Sequence, residues 1–170
     1  MITMKQAHKL LSLAEEVEAD LKGLYITIKE GSSFNVHEGL LEYNITVCEQ
    51  GQEFRHNIIE WLRNSNGLKD YEVMFNEFEN VFSFFHELGH ILTSWTIDND
   101  QKDYDDFRNK KYVNKEEAFK EYRNIPAEKL ADCKALELIR KLLPDLYMIF
   151  NGSTSRENAI NEINFWKALY

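Results

Sequence analysis

From Asp70 to Trp95 the chain runs without a proline and with one glycine, and its apolar residues return at helical spacing. Phe75, Phe78, Phe82 and Phe85 form a stripe, widened by Met74, Val81, Leu88 and Leu92. The spacing predicts one long amphipathic helix over 70–95, with the phenylalanines as core. Counting by turns from His86 and His90 brings in Glu79, Ser83 and Thr93, all polar. One face therefore reads as core and the other as a polar cleft, with the phenylalanines opposite the histidines.

The other segments read around this helix. Residues 3–21 carry apolar side chains every three or four positions, and Gly23 follows, which predicts a helix and its end. Residues 25–48 change period: Tyr25–Ile28, Phe34–Val36 and Leu41–Val47 alternate, with a turn at Gly31-Ser32-Ser33. A small antiparallel sheet of two or three strands is expected there. Residues 53–63 return to helical spacing and stop at Asn64–Gly67. Residues 97–114, with Asp98, Asp100, Asp103, Asp105 and Asp106, read as a long acidic loop, either simply solvated or acting as a lid. Helices follow over 115–123, over 127–143 with Pro126 in the first turn and Pro144 as the stop, and over 156–169. The expected class is α+β, mostly helical, in one domain spanning 1–170.

Composition removes several function classes. A formal net charge of −9, with no long basic run, disfavours direct nucleic-acid binding. No stretch approaches the length of a membrane span, and the amphipathic, charged N-terminal segment does not read as a secretory signal. A cytoplasmic protein is expected, with Cys48 and Cys133 as free, buried thiols.

The chemistry sits in Phe84-Phe85-His86-Glu87-Leu88-Gly89-His90. On a helix, His86 and His90 lie one turn apart on one face, so both imidazoles can reach a single metal ion. Zinc takes such nitrogens at about 2.0–2.1 Å in a tetrahedral shell. Glu87 beside them suits a general base for a water activated by the metal. A third protein ligand is required, and Glu128 in Ala127-Glu128-Lys129-Leu130-Ala131-Asp132 is preferred. Glu116, Glu117 and Glu121 are rivals nearer in sequence. Asp132, one turn after Glu128, can accept a hydrogen bond from the far nitrogen of a ligand histidine. Gly89, unfavourable inside a helix by about 1 kcal/mol against Ala, reads either as a close approach of substrate or other backbone, or as tight helix packing. Cys133, turned about 100° from Asp132 on the helix, reads as core. Tyr104, Tyr112, Tyr122 and Arg123 are candidates for stabilising the oxyanion of a peptide-hydrolysis transition state. His8, His37 and His56 have no partner spacing.

His-Glu-Leu-Gly-His followed by Glu-x-x-Ala-Asp resembles the gluzincin metallopeptidases. More closely it is similar to the ImmA/IrrE family of small bacterial and phage metallopeptidases, over roughly residues 70–145. The matching parts are the apolar lead-in Val81–Phe85 and the downstream helix that ends near a proline. The resemblance implies a zincin-like fold, with a small sheet on the active-site helix and a second helix bearing the third ligand. It also implies zinc on His86, His90 and Glu128, Glu87 as general base, and regulated cleavage of a repressor-type protein of a mobile element. Asp132 stands where that family often has Asn; the Asp form is usual in thermolysin-like gluzincins. Three functions are weighed from this: an intracellular zinc endopeptidase acting on a protein or peptide; a non-catalytic zincin-fold binding or regulatory module with a structural or occluded zinc; and a component of a mobile element acting through a protein partner.

Overall fold

The structure, a computed structural model, describes residues 2–31, 35–38, 42–48, 52–94 and 100–170. In chain order these form α1 (Met4–Val17), β1 (Tyr25–Glu30), β2 (Asn35–Glu38), β3 (Glu42–Val47), α2 (Gln52–Asn66), α3 (Phe78–Thr93), α4 (Asp100–Asn109), α5 (Lys115–Arg123), α6 (Pro126–Phe150) and α7 (Arg156–Leu169). Short 3-10 turns lie at Ala19–Leu21 and Asp70–Val73. The class is α+β and mostly helical. No helix among the described residues is long and apolar enough to cross a membrane.

α3 is the central element. Thirteen of its sixteen residues are buried, and its most extensive packing is against α6. A helix this apolar needs cover on nearly every side. α6 gives cover along one flank with Ala131, Ala135, Leu138 and Leu142, while β2 and β3 also pack on α3. α1 docks on α6 and β1 and starts with a capping box, in which Thr3 and Gln6 satisfy each other's backbone N–H groups.

The sheet differs from the antiparallel expectation. Its order is β1-β3-β2, with β1 parallel to β3 and β2 antiparallel to β3. Alternation reports which residues share a face of a strand, not which strand lies next to it. Here β2 returns the chain on the far side, and β3 inserts between β1 and β2. Gly31, read as part of a turn, continues the parallel ladder. Its N–H donates to the Val47 carbonyl at 2.9 Å, and a Cβ there would stand 2.2 Å from Thr46 Cγ2. Ser32 and Ser33 of that expected turn, and Phe34 and Leu41 of the expected strands, lie outside the described residues.

Three helix boundaries also differ. The helix expected over 70–95 breaks at Met74–Glu77, where Glu77 adopts φ 64°. Long-range bonds hold the break open: Asn76 N–H donates to Asn151 Oδ1 at 2.9 Å, and its amide to the Phe150 carbonyl at 3.1 Å. The acidic segment forms α4 instead of a loop, although Asp98 lies outside the described residues. Its charges hid an amphipathic pattern, since Tyr104 and Phe107 share a side and pack on Tyr122 with ring centroids 6.3 and 5.4 Å away. α6 passes through Pro144 and continues to Phe150. A proline inside a helix costs about 3 kcal/mol, but Leu142, Leu143, Leu146 and Tyr147, all buried, flank it on both sides and burial of such side chains outweighs that cost.

Gly89 is settled by the packing of α3 on α6. A Cβ at this position would stand 2.7 Å from the Ala131 carbonyl oxygen and 2.9 Å from Ala131 Cα. Both are backbone atoms, so the helices would have to part. Tight helix packing, and not the approach of a substrate, explains the glycine. Gly89→Ala is expected to destabilise the metal-free protein by about 1–3 kcal/mol, typical of overpacking, despite the better helix propensity of Ala. A urea melt checks this, and an unchanged midpoint would contradict the close approach.

Candidate metal centre

α3 brings His86 and His90 to its α6 side, and α6 presents Glu128 from its first turn. Pro126 opens that helix and sets Glu128 at a helix N-terminus, a position that suits a carboxylate. The three ligand atoms lie within 4.8 Å of one another. His86 Nε2 is 3.0 Å from His90 Nε2 and 3.1 Å from Glu128 Oε2, and His90 Nε2 is 3.4 Å from Glu128 Oε1. In a tetrahedral shell with bonds of about 2.0–2.1 Å, neighbouring ligand atoms stand about 3.3 Å apart. His86 Nε2 stands at such separations from His90 Nε2 and from Glu128 Oε2, while His90 Nε2 faces the other carboxylate oxygen, so two histidines and one carboxylate fit a metal ion.

Asp132 sits as the spacing suggested. Its Oδ1 is 3.0 Å from His86 Nδ1. A proton held on Nδ1 by this carboxylate would leave the Nε2 lone pair to a metal ion, in place of the hydrogen bond that Nε2 makes to Glu128. Asp132 also accepts from the Trp61 indole N–H at 3.2 Å and from Arg123 through Nε, at 3.2 Å, and Nη2. Trp61 and its role were not legible in the sequence, because α2 carries no motif and lies 71 residues from Asp132.

Glu87 is buried at 8% exposure yet lines a cleft of about 430 Å³ together with His90, Glu128, Tyr104 and Tyr122. Burial pushes the Glu87 carboxyl up from its ordinary range, partly countered by His86 and His90. For Glu128, burial pushes the same way, but hydrogen bonds from His86 and His90 outweigh it and hold the carboxyl well below the usual range. The two carboxyls, Glu87 and Glu128, thus part in proton affinity while sharing one site.

The rival third ligands point elsewhere. Glu116 pairs with Lys120 at 2.6 Å, Glu121 with Lys110 at 2.8 Å, and Glu117 accepts from the Val113 N–H at 2.7 Å. Of the oxyanion candidates, Tyr104 and Tyr122 line the cleft. Tyr104 donates to Glu128 Oε1 at 2.5 Å, and burial raises the Tyr122 phenol, reinforced by the charge of Glu128. The Tyr112 hydroxyl donates to the Phe107 carbonyl at 2.9 Å and is not in the cleft lining. Arg123 is 4% exposed and lies behind the ligands, not in the cleft lining.

Three other expectations are corrected. Phe82 is on the histidines' side of α3, not opposite. Phe78, Phe82 and His86 follow one another at single-turn spacing, with centroids 6.2 and then 6.0 Å apart. Four-residue steps climb one side of a helix, so an aromatic stripe containing Phe82 necessarily runs into His86. The polar set splits too: Thr93 borders the cleft, Glu79 pairs with Arg55 at 2.9 Å, and Ser83 is buried with no hydrogen-bond partner for its Oγ among the described residues. Cys133 is exposed, not core, and accepts from Asn66 Nδ2 at 3.1 Å; the turn that carries it away from Asp132 leads to solvent. Cys48 is buried. His8 and His56 are exposed, and the His37 side chain lies outside the described residues.

The fold and site define an α+β chain with a two-histidine, one-carboxylate cluster, buried at His86 and Glu128 and half-buried at His90, able to hold a metal ion. No family model matches the chain, and no curated protein or solved structure does so either.

Proposed function

We propose that this chain is a zinc-dependent peptidase of zincin plan, in keeping with its resemblance to the ImmA/IrrE metallopeptidases. The observation that carries the reading is the convergence of His86, His90 and Glu128 with Glu87 facing the same cleft. A purely structural site has no use for that last carboxylate. His86, His90 and Glu128 would hold the ion, which when bound supplies Lewis-acid polarisation of a carbonyl and a lowered pKa for water. Glu87 takes a proton from the attacking water and returns it to the leaving amine. Asp132 keeps the His86 proton on Nδ1. Tyr104 and Tyr122 hold phenolic O–H groups at the cleft, where negative charge builds on the substrate oxygen.

The cleft also suits an extended peptide. Among the described residues β2 is an edge of the sheet, and Asn35 and Val36 border the cleft beside Glu87 and His90. An edge strand offers backbone groups that a substrate strand can pair with. Cleavage of a repressor-type protein of a mobile element is the biological role the resemblance suggests. The test is zinc content by elemental analysis, followed by a quenched-peptide library and an unfolded protein as substrates. One equivalent of zinc with cleavage abolished by a chelator supports the reading. Zinc-loaded protein that leaves every substrate intact counts against turnover.

One contact favours a second reading, a zincin-fold module without turnover. Tyr104 of α4 already occupies Glu128 Oε1 from the cleft side, as a self-filled site would require. Cobalt-substituted protein separates the two. A visible spectrum that shifts on adding a small thiol indicates an open coordination position, and one that does not shift indicates a closed site.

A further inference from the structure

Arg123 has no part in the reading above, yet it is 4% exposed and touches both Glu128 of the metal cluster and Asp132 behind it. Its Nε and Nη2 grip the two oxygens of Asp132 side-on, and its Nη1 lies 3.3 Å from Glu128 Oε2. Its guanidinium carbon stands 5.9 Å from the centroid of Phe82, the ring beneath His86. Arg123 is the last residue of α5, and α6 begins at Pro126. The guanidinium therefore ties the end of one helix to the ligand-bearing start of the next.

Charge explains why a guanidinium is needed. Glu87, Glu128 and Asp132 are all buried around the cluster, and uncompensated buried carboxylates are strongly unfavourable. Asp132 as a carboxylate adds a charge that an amide would not. With Arg123 ionised, the four groups sum to a double negative charge, which a divalent cation neutralises. Without Arg123 the sum is triply negative; attraction alone would then favour a cation, but the buried carboxylates repel one another out of position, and Glu128 loses the donor that holds Oε2 toward His86. Only arginine offers two parallel donors to Asp132 and a third to Glu128 from one rigid plane.

We infer that Arg123 is a positioning residue for metal binding, which holds Glu128 in its ligating pose, and that Arg123 and Asp132 act as one charge-balanced unit. The inference rests on the metal-site reading. The experiment is zinc affinity by competition with a chromophoric chelator, on the full chain, for wild type, Arg123→Met, Arg123→Lys, Asp132→Asn and the double variant Arg123→Met/Asp132→Asn. Arg123→Met is expected to weaken zinc binding by about 10–100-fold, the range for outer partners of metal ligands. Arg123→Lys, with the charge but not the fork, should fall between it and wild type. In the Asp132→Asn background the Arg123→Met loss should shrink to a few fold, because the repulsion that pushes Glu128 out of its pose has gone. Thermal melts of the metal-free proteins identify any variant that fails to fold, and Arg123→Lys and the double variant then carry the comparison against wild type and Asp132→Asn. Wild-type affinity in Arg123→Lys, or an Arg123→Met loss equally large in both backgrounds, overturns the proposal while leaving the metal site standing. A wild-type protein that binds no zinc overturns the metal site itself, and this inference with it.

Discussion

Glu87→Gln is expected to retain zinc at wild-type stoichiometry and to lose peptide hydrolysis by about 10²–10⁴-fold, the usual worth of a general acid–base group. The amide keeps the size of the carboxylate, so the buried position on α3 stays filled. Glu87 is not among the three clustered ligands, so the metal has no reason to leave. What the variant cannot do is take a proton. The measurement pairs elemental zinc with turnover of the best peptide substrate. Turnover within a few fold of wild type would remove Glu87 from the chemistry. Joint loss of zinc and turnover would make it a structural or ligating group.

The second large effect is on the metal. Glu128→Ala and His86→Ala should each reduce zinc affinity by more than about 100-fold, since even partners of ligands are worth 10–100-fold and a ligand is worth more. Removing Glu128 leaves two imidazoles, and it also strips Arg123 of one of its two anionic partners. Glu121→Ala is the control. That carboxylate is exposed and paired with Lys110, so its removal should leave zinc untouched. Elemental analysis after dialysis against a weak chelator reads all three. Zinc retained in Glu128→Ala but lost in Glu121→Ala would move the third ligand to α5 and contradict the geometry of the cluster.

Helices α1, α2, α3, α5, α6 and α7 were legible because each carries its own periodic apolar face, and three residues of the site were legible because a single turn of helix relates them. His86, Glu87 and His90 are local neighbours, so spacing alone places them together. Glu128 and Asp132 were reachable because their own single-turn relation makes a candidate ligand and a candidate partner for a histidine a recognisable pair. Where charge density masked the pattern, as with Tyr104 and Phe107 in α4, the reading failed. The proline rule failed at Pro144 for the opposite reason, because the core flanking it on both sides outweighed a local preference.

What the sequence by itself determined was every described helix but α4, together with the turn that carries His86, Glu87 and His90, for these depend on contacts between residues three and four apart. Only the tertiary structure decided the partner of each strand, the break before Phe78, the reason for Gly89 and the web of Trp61, Arg123 and Asp132 behind the histidines. Each of these depends on groups far apart in the chain: Asn76 on Asn151, Gly89 on Ala131, Trp61 on Asp132. No local period records such a meeting, because it is made by the packing of whole elements and not by the conformation of any one of them.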